Sequence, residues 1–441
     1  MKVAIVGSGI SGLGAAYALK DVCDVTVFEA SAQPGGHSHT VDFELNGRAL
    51  SADVGFIVYN GLNYPNLTGL FDALGVGTQK SDMSFSVQAP EGFEWSSNGT
   101  GGLFARKRNL LRPRYLKFLT EILRFNRAAI SDLDAQEIGP LSFGAWLDKH
   151  GFSEDLREHY ILPMGAAIWS TPEARMTDYP ATSFINFFNN HRLLHSERPK
   201  WRTVTGGSRH YVAKIAGLLG ERLRTNTAVH AIIRAGEAGL LVSADGGAPE
   251  RFDHVILAGH AGQSLALLGE DLAERRFPLG SARFQSNRVV LHSDPAFMPR
   301  RRATWASWNV FKQDDGRLCL TYWMNRLQGL PSDCPVFVTL NPDRMPREDL
   351  IHFETRFDHP LFDSAAAAAV REIRRHNGEH GLWFAGAWMG HGFHEDGLKS
   401  GLEAALSIGG RVPWSAEGID IRTPATPARP AILPKSAEGA A

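Results

Sequence analysis

The first 29 residues contain the feature that most constrains the fold of this chain. The strand Lys2–Val6 runs directly into a G-x-G-x-x-G sequence at residues 7–12. A helical stretch follows, and a second apolar strand, Val25–Phe28, ends on Glu29. This order of strand, glycine-rich turn, helix, strand and acid is the βαβ fingerprint of dinucleotide-binding proteins. The sequence therefore predicts an α/β protein built on a buried parallel sheet.

Each position of the fingerprint has a physical role in that fold. Gly7 permits the tight turn, Gly9 lets the backbone approach a pyrophosphate, and Gly12 lets the helix pack closely on the strand. The N-terminus of the helix faces the phosphates, and Glu29 accepts a hydrogen bond from a ribose hydroxyl. The predicted dinucleotide contacts of this segment are Gly7, Gly9, Ser11, Gly12, Glu29 and Ala30.

A glycine doublet beyond the ribose acid indicates which dinucleotide is bound. Gly35 and Gly36 follow Glu29 by a few residues and precede His37. An NAD site does not require such a doublet. The longer FAD molecule does, because its second phosphate and ribityl chain pass over this loop, where a Cβ atom would collide. We therefore predict FAD as the cofactor.

Together these motifs resemble those of the flavin-containing amine oxidase and phytoene desaturase superfamily. The segment Asp53–Phe56 is similar to the family's acidic-x-Gly sequence, and the strand Leu382–Gly386 leads into the glycine-rich stretch Gly392–Gly401. The resemblance implies an FAD-binding Rossmann-like domain with a doubly wound parallel sheet. It also implies a discontinuous substrate domain of helices plus an antiparallel sheet. The further cofactor contacts that it implies are His37, Gly55, Phe56, Val229, Gly386, Phe393, His394 and Glu395.

The sequence departs from the family pattern at three points. His37 stands where the family usually carries an arginine for the pyrophosphate, and Ala387 stands where it usually carries an acid for the ribityl chain. The lysine that many amine oxidases hold near flavin N5 has no evident counterpart. These departures weigh against simple amine oxidation.

The chain length of 441 residues predicts two or three domains. We assign residues 1–60, 203–283 and 376–412 to the FAD-binding domain, and residues 61–202 and 284–375 to the substrate domain. Helical spacing of apolar residues from Leu111 to Phe125 predicts a helix in the first insertion. Apolar runs at residues 289–292, 303–308, 318–323 and 336–340 predict the antiparallel sheet. Residues 416–441 are rich in Pro and Ala and are predicted to be a disordered tail.

The reaction is harder to predict than the cofactor. Hydride transfer to flavin can proceed by positioning alone, and if a base is needed, His391 and Tyr322 are the candidates. No metal site is predicted. The whole sequence resembles a branch of predicted NAD/FAD-binding proteins linked to modification of methyl-branched or cyclopropane membrane fatty acids. This implies a dehydrogenase or desaturase acting on an apolar lipid. A flavin amine oxidase releasing peroxide and a flavin-binding partner of a lipid-modifying enzyme remain alternatives.

Charge and composition constrain the partners. A formal net charge of −1 argues against a nucleic-acid partner. Between Phe104 and Arg127, however, eight basic residues face a single acid, Glu121. This pattern favours either an anionic membrane surface or a solvated helix. Three cysteines without a C-x-x-C pair, and no signal peptide, predict a cytoplasmic protein or one on the inner face of a membrane.

Overall fold

The computed structural model describes residues 1–89, 92–169, 176–236, 239–272, 278–312 and 318–421. Within these ranges the strands, in chain order, are β1 (Lys2–Val6), β2 (Asp24–Phe28), β3 (Thr40–Leu45), β4 (Arg48–Asp53), β5 (Tyr59–Asn60), β6 (Thr78–Lys80), β7 (Phe85–Gln88), β8 (Glu94–Ser96), β9 (Trp201–Val204), β10 (Leu223–Arg224), β11 (Val229–Arg234), β12 (Leu240–Ala244), β13 (Glu250–Phe252), β14 (His254–Leu257), β15 (Phe284–His292), β16 (Trp308–Lys312), β17 (Leu318–Trp323), β18 (Phe337–Leu340), β19 (Ile351–Pro360) and β20 (Leu382–Phe384).

The α-helices of the same ranges are, in chain order, α1 (Ile10–Leu19), α2 (Pro65–Leu74), α3 (Gly99–Leu103), α4 (Pro113–Asp134), α5 (Phe143–Lys149), α6 (Glu154–Leu156), α7 (Leu162–Trp169), α8 (Ala181–Asn190), α9 (Arg209–Leu219), α10 (Ala261–Leu267), α11 (Met324–Gln328), α12 (Ser364–Arg375) and α13 (His394–Ile408). Short 3-10 turns and one π-helical turn connect some of them.

A five-stranded parallel sheet forms the centre of the dinucleotide-binding half. Its strand order is β10-β2-β1-β14-β20, and every neighbouring pair is parallel. Helices α1 and α13 pack together on one face, where Leu13, Leu398 and Leu402 are fully buried. The short antiparallel sheet β11-β12-β13 lies toward the other face, with Ile232 in the core there. The predicted α/β fold class is confirmed.

A seven-stranded sheet forms the second half of the molecule. Its order is β19-β15-β18-β17-β16-β7-β8, and only β16 and β7 are parallel among its pairs. The helices of the insertion after β8 contribute the largest part of its core. The buried aromatic side chains of that core include Phe118, Phe125, Phe143, Trp146, Phe184 and Phe188. The predicted domain boundaries stay a prediction.

The structure corrects several local predictions. The strand predicted at residues 303–308 begins only at Trp308, because Thr304 lies in a 3-10 turn and its hydroxyl donates to Glu94. Leu111, the first residue of the predicted helix, lies outside α4, since α4 begins at Pro113. Strand β19 and helix α12 were not predicted.

Two findings concern the ends and the apolar segments of the chain. Of the predicted disordered tail, residues 422–441 lie outside the described residues, and residues 416–421 form no helix or strand. Within the described ranges, every helix is too short or too polar to cross a membrane.

Candidate active site

The turn between β1 and α1 forms an open cradle for a dinucleotide. Gly7 has a positive φ of 101°, and its N–H donates to the carbonyl of Phe28 at 2.8 Å. A Cβ atom at Gly12 would lie 1.9 Å from the carbonyl oxygen of Gly7, so this glycine permits the close approach of helix and strand. At Gly9, by contrast, an added Cβ would have no atom within 4 Å. The absence of a side chain at Gly9 therefore leaves space open in the cradle.

The glycine doublet closes one side of this cradle. Gly35 and Gly36 have φ values of 123° and 57°, which favour glycine. The N–H of Gly35 donates to the carbonyl of Ser8 at 3.0 Å, and a Cβ at Gly36 would lie 3.1 Å from Cα of Gly9. The doublet and the turn between β1 and α1 are thus in direct backbone contact. This is the close approach that a pyrophosphate-binding loop requires.

Glu29 is held in place at the end of β2. One carboxylate oxygen accepts from the N–H of Ser8 at 2.9 Å and from its hydroxyl at 2.6 Å, while the other accepts from the N–H of Ser31 at 2.8 Å. A carboxylate has more lone pairs than these bonds use, so it can still accept from a ribose. Ala30 and Val229 line the cavity beside it.

Two further histidines lie beside His37, which occupies the position where the family carries an arginine. The ring of His37 lies 5.6 Å from that of His359 and 6.1 Å from that of His260, and it also contacts Phe357 at 4.7 Å. Burial, together with these imidazoles, lowers the pKa of His37 to about 3. Burial likewise lowers the pKa of His359 to about 4. The imidazoles are therefore neutral donors, and an approaching pyrophosphate would favour their charged forms.

The N-terminus of α13 defines the other end of the cofactor site. The His394 ring stacks on Phe56 with centroids 3.8 Å apart, and its Nε2 forms a hydrogen bond with the hydroxyl of Tyr211 at 2.8 Å. Burial lowers the pKa of His394 to about 3, so the ring is neutral. A Cβ at Gly55 would lie 2.1 Å from the carbonyl oxygen of His37, which shows how tightly this wall is packed.

Glu395, which follows His394 in α13, binds helix α2 instead of lining the cofactor site. Its carboxylate accepts from the N–H and side-chain amide of Asn66 at 3.0 and 2.8 Å, and from the N–H of Leu67 at 2.9 Å. It thereby caps the first turn of α2, where backbone N–H groups lack helical partners. The side chain predicted to contact the cofactor is thus engaged in joining two helices.

One continuous cavity of about 1880 Å³ connects these elements. Ligand sites for one small molecule usually occupy about 300–1,000 Å³, so this cavity has room for a dinucleotide and a substrate. The predicted cofactor residues that line it are Gly7, Gly9, Ser11, Glu29, Ala30, Gly36, His37, Gly55, Phe56, Val229, Gly386, Phe393 and His394. Gly12, Gly35 and Glu395 are not part of the lining; the two glycines pack directly behind it.

The part of the cavity beyond Phe393 is an apolar chamber. Its walls come from helices α4, α7 and α8 and from the seven-stranded sheet. They include Phe85, Trp95, Leu103, Leu119, Ile122, Leu123, Tyr160, Met164, Ile168, Trp169, Phe187, Leu193, Trp308 and Tyr322. Trp308 Nε1 is buried there and has no acceptor in the described part of the chain.

Residues 10–286 match the family profile described as flavin containing amine oxidoreductase. The chain belongs to this family. It is an FAD-dependent oxidoreductase, and bound FAD supplies a two-electron acceptor for a hydride. The empty space at Gly9 and the backbone contact of Gly36 with it fit the pyrophosphate of that cofactor.

Solved structures show the same fold as this flavin amine oxidoreductase. A double mutant of putrescine oxidase matches with a TM-score of 0.68 at 18% identity, covering 92% of this chain and 98% of that one. Cyclohexylamine oxidase from Brevibacterium oxydans IH-35A matches with a TM-score of 0.65 at 17% identity, with coverages of 92% and 98%. A fatty acid isomerase from P. acnes matches with a TM-score of 0.63 at 15% identity, with coverages of 92% and 97%. A search of curated sequences found no significant match.

The two predicted catalytic residues of this flavin amine oxidoreductase both line the cavity. Tyr322 is buried in β17, which raises the pKa of its hydroxyl, and its ring meets Trp308 edge-on at 4.8 Å. His391 is solvent-exposed, with its ring 6.4 Å from that of Phe187. Tyr322 thus stays protonated and can donate a hydrogen bond, whereas His391 is open to solvent.

A residue that the sequence did not point to, His191, lines the cavity close to Phe393. The ring of His191 stacks on Phe187 at 3.9 Å and lies 5.4 Å from that of Phe393. Its Nδ1 is 3.0 Å from the carbonyl oxygen of Phe187, and burial lowers its pKa to about 4. A carbonyl only accepts, so Nδ1 carries the proton and Nε2 has a free lone pair. His191 also lines the cavity, so it is a further candidate base beside His391. No local sequence motif marks it.

The lysine that many amine oxidases hold near flavin N5 has no buried counterpart among the described residues that line the cavity. Among the described residues, the lysines that line the cavity are Lys80, in β6, and Lys200, just before β9. Both are exposed. Each thus stands at the solvent side of the cavity wall.

Proposed function

We propose that this enzyme removes two hydrogens from the acyl chain of a lipid, as a dehydrogenase or desaturase of methyl-branched or cyclopropane fatty acyl groups. The observation that carries the proposal is the apolar chamber, which is continuous with the cofactor cradle. An acyl chain gains free energy by leaving water for such walls, about 0.8 kcal/mol for each buried CH₂ group. A small polar substrate would gain nothing comparable there.

The charges of the cavity favour this substrate over a polyamine. Its acidic lining residues are Glu29, Asp82 and Asp358. Asp82 accepts from Ser84 and Ser307 and pairs with Arg326 at 3.1 Å, so its charge is already neutralised. The basic lining residues are more numerous: Lys80, Arg198, Lys200, Arg202 and Arg356. This excess of cations suits a substrate with an anionic end and repels an amine.

The aromatic rings at the cofactor end also weigh against an amine cage. Phe393 and Phe187 stack directly, with centroids 5.1 Å apart and an angle of 18° between the rings. Rings in direct contact leave no gap for an ammonium group between them. The similarity to putrescine oxidase therefore supports the fold but not an amine substrate. The similarity to a fatty acid isomerase supports the view that a protein of this fold can accommodate an acyl substrate.

The reaction divides between cofactor and protein in a simple way. Bound FAD would supply the acceptor for a hydride from one carbon of the chain. The hydrogen of the neighbouring carbon would leave as a proton, so that a C=C bond forms, and an external electron acceptor would take up the two electrons. In this proposal His191 Nε2 would accept the proton, and the Nε1–H of Trp308, which has no acceptor among the described residues, would donate to an ester or carboxylate oxygen.

Anaerobic mixing of the purified holoenzyme with candidate substrates tests the proposal. Vesicles containing methyl-branched acyl chains should bleach the oxidised flavin, and mass spectrometry should find acyl chains lighter by two hydrogens. Ile168→Trp, which places a larger side chain in the chamber, should abolish bleaching while the protein retains FAD. His191→Asn should slow bleaching with little change in lipid affinity.

Two results would overturn it. Bleaching by putrescine with peroxide release, but not by lipid, would favour the amine oxidase. No bleaching by any substrate, with FAD firmly bound, would favour a flavin-binding partner of another enzyme.

A further inference from the structure

A group of apolar side chains stands in solvent just before and along α4. Leu111 is 87% exposed, Leu123 61%, Leu110 51% and Leu116 40%. These residues occupy one continuous stretch of chain, whereas the other large exposed apolar residues are scattered. We call the exposed leucines together with Lys107, Arg108, Arg112 and Lys117 the 107–123 surface.

Local structure explains why these leucines are not buried. Residues Lys107–Leu111 form a 3-10 turn, and α4 begins at Pro113. The inner face of α4 is already filled by Tyr115 and Phe118, and the hydroxyl of Tyr115 donates to the carbonyl of Leu103. Leu116 and Leu123 are two turns apart and therefore share the outer face. The helix thus has two apolar sides, and its own domain covers only one.

The charges beside these leucines are not engaged in close pairs. Lys107, Arg108, Arg112 and Lys117 are exposed, and their side chains form no hydrogen bond or ion pair with the described residues. The nearby acid Glu121 is buried and accepts from Ser153. The surface therefore presents positive charge around an apolar centre.

Two arginines of the same stretch, Arg114 and Arg124, are bound to other parts of the protein. Arg114 pairs with Asp155, and Arg124 donates to the carbonyls of His150 and Gly151 at 2.9 and 3.0 Å. The guanidinium of Arg124 also lies 4.1 Å from the ring centroid of Phe152. These two charges hold the insertion together and are not available to a partner.

The chamber reaches this surface. Leu119, Ile122 and Leu123 all line the cavity, and Leu123 is at the same time mostly exposed. Leu123 therefore stands at a rim where the chamber wall meets the outer face of α4. An apolar molecule at Leu123 would therefore be next to the chamber lining formed by Leu119 and Ile122.

We propose that the 107–123 surface docks on an anionic phospholipid bilayer, with its leucines in the interfacial layer and its four cations on lipid phosphates. Exposed leucines flanked by lysine and arginine are what such an interface binds. A second copy of this chain is a poorer occupant, because a two-fold contact would bring the same cations face to face. The proposal goes beyond the reaction proposed above, since it concerns where the enzyme acts.

Co-sedimentation of the FAD-loaded protein with vesicles tests this without turnover, so the outcome is independent of the proposed reaction. Wild-type protein should bind vesicles that contain phosphatidylglycerol, bind phosphatidylcholine vesicles much less, and be released by salt. Arg108→Gln with Arg112→Gln should weaken binding about tenfold to a hundredfold. Leu110→Ser with Leu111→Ser should weaken it by a similar factor.

Two matched controls make the test specific. Leu218→Ser changes a leucine that is 47% exposed in α9 of the dinucleotide-binding half, and it should leave vesicle binding unchanged. Arg114→Gln removes a charge that is paired with Asp155, so it should lower the melting temperature while having little effect on vesicle affinity. Equal binding to neutral and anionic vesicles, or binding to neither, would overturn the proposal. So would full binding by either double variant, and so would self-association through this face, seen as a dimer that these variants dissociate.

Discussion

Two glycines of the same motif should respond to alanine in opposite ways. Gly9 has φ −67° and ψ 179°, a conformation open to any residue, and its added Cβ would meet no atom within 4 Å. Gly9→Ala should therefore leave the FAD-free protein folded. It should even stabilise that form by about 0.4–1 kcal/mol, because alanine restricts the unfolded chain more than glycine does.

The cost of Gly9→Ala should appear only when FAD binds. The new methyl group occupies the open space of the cradle in which we place the pyrophosphate, and overfilling a packed site costs about 1–3 kcal/mol. That corresponds to a dissociation constant for FAD raised about fivefold to 150-fold. Gly9→Val, with a branched side chain, should abolish binding.

Gly12→Ala provides the contrast. Its Cβ would lie 1.9 Å from the carbonyl oxygen of Gly7 and 3.2 Å from the side chain of Ile5. Backbone must move, so we expect a loss of about 3 kcal/mol or more of stability with or without FAD.

The assays are thermal unfolding of the FAD-free proteins and titration with FAD followed by flavin fluorescence. If Gly9→Ala bound FAD as tightly as the wild type, the cradle would be wrongly placed. If Gly9→Ala unfolded as readily as Gly12→Ala, our account of the empty space would be wrong.

Three further changes probe the rest of the cofactor site. Ala387→Asp should be tolerated and should tighten FAD binding by supplying the missing ribityl acceptor; a variant that purifies without any flavin would contradict the placement of that chain. Glu395→Gln should lower the free energy of unfolding by about 1–2 kcal/mol, because an amide caps α2 less well than a carboxylate, and chemical denaturation at neutral pH would measure it. The folded-state pKa of His394, about 3, is below the ordinary 6.5, so folding favours its neutral form. Stability should thus fall by about 1.4 kcal/mol per pH unit for this group as the pH drops below 6.5, down to about 3. His394→Asn should show a correspondingly shallower fall in pH-dependent unfolding; an unchanged slope would refute this.

Some of the site could not be predicted because its partners are far apart in the chain. His191, His260 and His359 carry no local motif: His191 follows α8, His260 precedes α10 and His359 lies in β19. Their positions around the cofactor site follow from the packing of the two halves. The engagement of Glu395 with Asn66 is likewise invisible in sequence, since the two residues are 329 positions apart.

Strand prediction failed where tertiary contacts override local preference. The run at residues 303–308 is apolar enough for a strand, but Thr304 and Arg301 bind the buried Glu94 and fold the chain into a turn. Strand β19 carries polar and charged residues between its apolar ones because it lies at the edge of its sheet, with one side unpaired. Strand β19 therefore lacks the run of apolar residues by which buried strands are predicted from sequence.

The sequence by itself determined the cofactor cradle. Gly7, Gly9, Gly12, Glu29 and the glycine doublet act through backbone geometry over short distances, so their spacing alone specifies the fold around them. Only the tertiary structure decided which charges are free. The sequence showed eight basic residues near α4, and the structure commits Arg114 and Arg124 to distant partners while leaving Arg108 and Arg112 exposed. A charge is free or paired according to what folds against it, and no local pattern encodes that.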